Sequence, residues 1–146
     1  MPKLFRTMLP DPSGAKPKLG SATFAPGLGV RVAPDPCPDV FPDANGNVGP
    51  VNPARGMSVA PMVEALPARL IPRRLQNRFR KAQGDDNQIV WSLGEGPFVG
   101  GPVAESLIMR VTSSKHGVVE PESKMQLDEF QKRLADTQSL WRKDEQ

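Results

Sequence analysis

The chain has 146 residues, 38% hydrophobic and 24% charged, with a formal net charge of +3 at pH 7. That length can bury one sizeable core, and the composition demands neither disorder nor a membrane. No apolar run approaches the ~20 residues of a spanning helix and no basic, then apolar, leader pattern opens the sequence, so a soluble single domain over residues 1–146 is expected.

Proline is the unusual component. Of the 17 prolines, fourteen lie in residues 1–72, and an interior proline costs a helix roughly 3 kcal/mol. The first half is therefore expected to consist of loops, turns and short strands. The lone Cys37, between Pro36 and Pro38, cannot form an intramolecular disulfide, and a reducing compartment is compatible with it. The pI of about 9.3 argues only weakly for an anionic partner.

In chain order, Lys3-Leu4-Phe5-Arg6-Thr7-Met8 alternates apolar and polar side chains as a short strand does, closed by Pro10, Asp11, Pro12 and Gly14. Residues 11–55 read as turn chemistry, an irregular stretch that is either site-lining loop or linker. Gly56-Met57-Ser58-Val59-Ala60 reads as a second short strand. A helix is expected over 72–83, with Pro72 at its first position, Leu75, Phe79 and Ala82 on one face and Gly84 as its stop.

Residues 88–93 and 106–111 are the strongest strand candidates, joined by a Gly/Pro-rich connection over 94–102, and a short strand around Gly117 is expected to pair with the second. A terminal helix is expected over 121–142, with Leu127, Phe130, Leu134, Thr137 and Trp141 as its buried stripe. The sum is an α+β chain, short-stranded, with two or three helices.

One His and one Cys, far apart, fall short of a zinc site, so no metal is expected. The Gly-rich 94–101 segment lacks both the dinucleotide fingerprint spacing and a P-loop ending, and reads as a turn. Arg69, Arg73, Arg74, Arg78, Arg80 and Lys81 form a basic group. It reads as a solvated face or a grip for an acidic partner. Without interleaved Tyr or Trp, nucleic acid is disfavoured. Arg6 is a cation inside a short strand, either at an exposed edge or aimed into a polar cleft, where its fork would suit a diphosphate. His116, the only histidine, is either a structural group or a catalyst. Ser58 is either a turn hydroxyl or part of the same site.

Taken together, these positions resemble the NAD-binding toxin effectors exported by bacterial type VI secretion systems, which have an ADP-ribosyltransferase-like fold. Leu4-Phe5-Arg6-Thr7-Met8 is similar to that family's Leu-Tyr-Arg-Ala-Val strand. Asp39-Val40, Gly46-Asn47-Val48-Gly49-Pro50 and Gly56-Met57-Ser58-Val59 are similar to its Asp-Ile, Gly-Leu-Tyr-Ala-Pro and Gly-Thr-Ser-Val segments. His116, Pro121 and Met125 reproduce its His, Pro and Met spacing before a terminal helix with a late Trp. Met57 departs from the pattern, standing where the family has Thr.

The resemblance implies an ADP-ribosyltransferase-like fold and an NAD-dependent toxin used in bacterial competition, which transfers ADP-ribose to an intracellular target or cleaves NAD. NAD would be the substrate, held by Arg6, Gly56, Met57 and Ser58, with Arg6, Ser58 and His116 in the catalytic cleft. The candidates for the supporting carboxylate are Glu95 and Glu120, Glu129 looking like helix surface; the alternative is that the family does without it, with His116 holding the substrate. A cognate immunity protein or antitoxin is implied, as is action in the cytoplasm of the producing or a recipient cell without a signal peptide. Two other readings stand beside it: a non-enzymatic module gripping a partner with the 69–81 face, and an NAD-degrading toxin of a toxin–antitoxin pair.

Overall fold

The computed structural model describes residues 1–20 and 27–146. Its strands are, in chain order, β1 (Leu4–Met8), β2 (Asn47–Val48), β3 (Met57–Val59), β4 (Ile89–Leu93), β5 (Gly101–Ala104), β6 (Leu107–Ser113), β7 (His116–Pro121), β8 (Met125–Gln126) and β9 (Arg142–Lys143), with helix α1 (Leu127–Ala135) before the last. They form three antiparallel sheets, ordered β1-β4-β9, β2-β8 and β3-β7-β6-β5. The described residues thus make a small mixed α+β protein, mostly sheet, with one α-helix.

β1 is buried along its whole length. Successive strand side chains point to opposite faces, and β1 uses both. Leu4 and Met8 join the main core with Trp91, Met109, Phe130 and Leu134, whereas Phe5 joins a second apolar cluster with Val63, Leu66, Ile71, Leu75 and Val90. Arg6 therefore shares the face of Leu4 and Met8. It lies opposite Trp91 in the β4 register, whose indole Nε1 donates to the Met8 carbonyl at 3.0 Å.

The expected two or three helices are not borne out: among the described residues there is one α-helix, shorter than the sequence suggests. Over 72–83 there is a single 3₁₀ turn, Arg73–Leu75. The following main-chain donors turn back to earlier residues: Gln83 N–H bonds to the Ala68 carbonyl at 2.9 Å and Gly84 N–H to that of Ile71 at 2.8 Å. Leu75 and Ala82 are still buried, so the apolar spacing served a coiled-up loop rather than a helix. At the C-terminal end, Pro121 closes β7 and residues 125–126 pair with β2, leaving the helix Leu127–Ala135.

The stripe nonetheless packs as expected at Phe130, Leu134, Thr137 and Trp141, all buried. Each large apolar member is worth roughly 1.5–3 kcal/mol of burial. Thr137 Oγ1 donates to the Leu134 carbonyl at 2.7 Å and accepts from Trp141 Nε1 at 3.0 Å. A 3₁₀ turn then delivers the chain to β9. Part of the expected irregular stretch over 11–55, residues 21–26, lies outside the described residues.

Candidate functional site

Two main-chain hydrogen bonds stitch the sheets together. Phe5 N–H donates to the Ala60 carbonyl at 2.8 Å and Ala60 N–H to that of Phe5 at 2.9 Å, just past the end of β3. Beside this bridge opens a cavity of about 280 Å³. β1 contributes Arg6 and Thr7, β3 contributes Ser58 and Val59, and the β6–β7 hairpin contributes Lys115 and His116. Arg6, Ser58 and His116, distant in sequence, thus line one space. Ala60, Ala65, Leu66, Pro67 and Leu70 form an apolar wall.

Arg6 is 8% exposed. Its Nε and Nη2 converge on the Gly27 carbonyl at 3.2 and 2.9 Å, and its Nη1 donates to the Ser58 carbonyl at 2.8 Å. A guanidinium carries five N–H donors, so two have no partner among the described residues. Burial pulls its pKa down to about 10, with the Asp39 charge opposing that from farther off. Arg6 is therefore still a cation at neutral pH, and its direct partners are neutral carbonyls.

Arg31, Asp39, Arg69 and Lys115 complete the charged lining. Asp39 is held bidentately by Arg31, with Nε at 3.2 Å and Nη2 at 2.9 Å, and also accepts from Arg31 N–H at 2.8 Å. That pairing raises the Arg31 pKa. Four permanent cations against one carboxylate leave the described lining positive. Asp39 served in the sequence only as an anchor of the resemblance. Nothing in its local spacing marks it as cavity-lining, because its position depends on the loop that closes on Arg31 through the Asp39 N–H to Arg31 carbonyl bond at 2.9 Å.

Other candidates lie elsewhere. The Glu95 side chain is 80% exposed and pairs with Arg142 at 3.2 Å, outside the cavity. Glu120 is 1% exposed, with Oε1 2.6 Å from Arg110 Nη2 and Oε2 without a hydrogen-bond partner. Burial raises its pKa against the pull of Arg110. Neither carboxylate lines the cavity. Met57 belongs to the main core, and Gly56 is pressed against β7, where a Cβ would sit 2.1 Å from the Val119 oxygen. Of the expected cofactor-holding group, Arg6 and Ser58 reach the cavity and Gly56 and Met57 support it from behind.

His116 is half-buried, and desolvation lowers its pKa below the usual 6.5, so the imidazole is neutral at pH 7. Its Nδ1 is 2.6 Å from Thr112 Oγ1. Of the basic group over 69–81, Arg69 lines the cavity, while Arg74 is tied to Glu145 at 2.6 and 2.7 Å. Among the described residues no group of three or more His, Cys, Asp or Glu is placed to hold a metal ion, and no helix is long and apolar enough to cross a membrane. No protein-family model matches the chain, and comparison with curated proteins and with solved structures found no match.

Proposed function

We propose that this cavity takes NAD and that the chain is an NAD-dependent toxin of the ADP-ribosyltransferase-like type, transferring ADP-ribose to an intracellular target or cleaving NAD. The observation that carries the reading is Arg6: a buried cation at the wall of a positively charged cavity, bonded among the described residues to neutral carbonyls. A charge out of water is costly unless paired, and two N–H donors with no hydrogen-bond partner among the described residues suit a diphosphate. The apolar wall over Ala65, Leu66 and Leu70 suits a flat ring.

The volume, about 280 Å³, lies at the lower edge of the roughly 300–1,000 Å³ of ligand pockets. It would enclose part of a dinucleotide, the rest lying over the rim. Asp39, the carboxylate of the described lining, takes in this reading the place of Glu95 and Glu120 beside positive charge developing at the ribose. A neutralising immunity protein or antitoxin would act by covering the cavity mouth. The test is incubation of the purified chain with NAD, following nicotinamide release and the thermal shift. The absence of both turnover and a shift in the wild type would remove this reading.

A second reading is favoured by a shallow depression of about 800 Å³ beside the cavity, where Arg78, Arg80, Lys81 and Lys115 face a single Glu64. There the chain would grip an acidic partner without chemistry. Reversing Arg78, Arg80 and Lys81 to Glu should then abolish toxicity while Ser58→Ala leaves it intact.

A further inference from the structure

The hairpin that carries His116 is irregular at one place. β6 and β7 pair Val111 with Gly117 and Ser113 with His116, so Thr112 is an extra residue on its strand. Such bulges re-aim a side chain beside a site. Here the Thr112 hydroxyl makes two contacts to the same residue, 3.0 Å from the His116 carbonyl oxygen and 2.6 Å from the His116 Nδ1.

A threonine hydroxyl has one proton to donate and can accept as well, whereas a carbonyl can only accept. Both contacts can be hydrogen bonds at once only with the Thr112 proton on the His116 carbonyl. The short contact to Nδ1 then requires the ring to be the donor, so Nδ1 carries the imidazole proton. In a neutral imidazole the other nitrogen, Nε2, is left with a bare lone pair. His116 is a lining residue of the cavity, and with Nδ1 engaged by Thr112, Nε2 is the ring nitrogen left for a ligand.

We infer that Thr112 is a positioning residue that locks His116 in the Nδ1–H form, making Nε2 the proton acceptor of the cavity. This inference rests on the reading that the cavity takes NAD. In that reaction the oxygen of water, or of an acceptor hydroxyl, forms a bond to C1′ of the nicotinamide ribose as the C1′–N bond breaks. The electron pair of that bond passes to the nicotinamide ring, which leaves neutral, and the nucleophile's proton goes to His116 Nε2. No oxidant or further reactant is needed. Thr112 touches no reacting atom and acts through the ring it orients.

The lock is read without any ligand, by ¹⁵N NMR of the imidazole in the intact wild-type chain. Nδ1 should show the protonated type of shift and Nε2 the bare type. Thr112→Val should exchange the two patterns, and Thr112→Ser, which keeps the hydroxyl, should retain the wild-type one. With NAD, Thr112→Val should lose about tenfold or more in kcat, within the ~10²–10⁴-fold a positioned proton acceptor supplies, with KM little changed, and Thr112→Ser should recover most of it.

A proton on Nε2 in the wild type overturns the inference whatever the activity. So does an exchanged tautomer in Thr112→Val with kcat unchanged. A wild type with the Nδ1–H form but no nicotinamide release supports the lock while overturning the NAD reading and the proton-transfer step with it. Should Thr112→Val not fold, a wild-type pattern in Thr112→Ser beside an exchanged one in Thr112→Ala supports the lock, and an unchanged pattern in both overturns it.

Discussion

Arg6 holds the main-chain carbonyl of Ser58 rather than its hydroxyl, with Nη1 2.8 Å from the oxygen. The same guanidinium grips the Gly27 carbonyl. It ties β1 to β3 and to the loop around Gly27, and it faces the cavity as well. A single side chain thus shapes the site and charges it.

Removing it should show both roles. Arg6→Ala leaves two carbonyls without their donors, each worth about 1–3 kcal/mol, offset by relief from burying a cation. A net loss of about 2 kcal/mol is expected in urea denaturation. Arg6→Lys keeps the charge and loses the fork. It should stay folded and still lose most of the NAD-induced thermal shift. An unchanged shift in Arg6→Lys would mean that the guanidinium does not meet the ligand.

Behind the cavity, Gly56 allows β3 to approach β7. A Cβ there would lie 2.1 Å from the Val119 carbonyl oxygen and 3.3 Å from the Glu120 Cα, and backbone at that distance cannot give way as a flexible side chain would. Gly56→Ala is expected to cost about 3 kcal/mol or more, seen as a lowered Tm, and to displace Ser58 from the cavity wall.

His116 sets the expected pH behaviour. Burial lowers its pKa below 6.5, so between the folded value and 6.5 the unfolded chain binds the extra proton. By linkage its contribution to stability is fully present above 6.5 and is lost as pH falls through that window. The charged groups that line the same cavity are Lys115, Arg6, Arg31, Arg69 and Asp39. The acid limb of NAD turnover should lie below 6.5 and disappear in His116→Gln, measured as nicotinamide release against pH.

Glu120 should behave as structure, not as a catalyst. Removing one partner of a buried ion pair is costly when the other charge is left buried. Arg110, however, is 43% exposed and keeps its bond to the Val51 carbonyl at 3.0 Å. Glu120→Gln is therefore expected to change stability by less than about 1 kcal/mol and to leave NAD turnover unaltered. Because burial raises its pKa, the wild-type contribution is present below 4.5 and lost as pH rises through the raised value. The Gln variant should lack that slope in thermal melts across the acid range.

Local chemistry alone marked β1, β3, β4, β6 and β7, while β2, β5 and β8 fall in segments that read as turn, connection and helix, and β9 at the end of that helix. Alternation from Leu4 to Met8, the apolar runs ending at Leu93 and Val111, and proline punctuation through residue 72 leave strands and turns as the economical structures. The burial of Phe130, Leu134 and Trp141 was legible too, because their spacing marks one face whether the chain is α-helical throughout or finishes in a 3₁₀ turn. Helix length was not legible. The donors of residues 83 and 84 found carbonyls at 68 and 71, partners that helical periodicity does not encode.

The site divides in the same way. Arg6, Ser58 and His116 could be singled out as residue types, but that they line one cavity depends on the Phe5–Ala60 bridge and on the β3–β7 pairing. Which carboxylate lines the cavity was decided by tertiary structure alone: Glu95 is drawn out to Arg142, Glu120 turns to Arg110, and the loop closed by Arg31 brings in Asp39. Likewise the bulge at Thr112 is a property of two strands in register, invisible in either one. Periodicity reports which face of an element meets apolar surroundings. Which polar groups meet across that surface is set by the pairing of segments far apart in the chain.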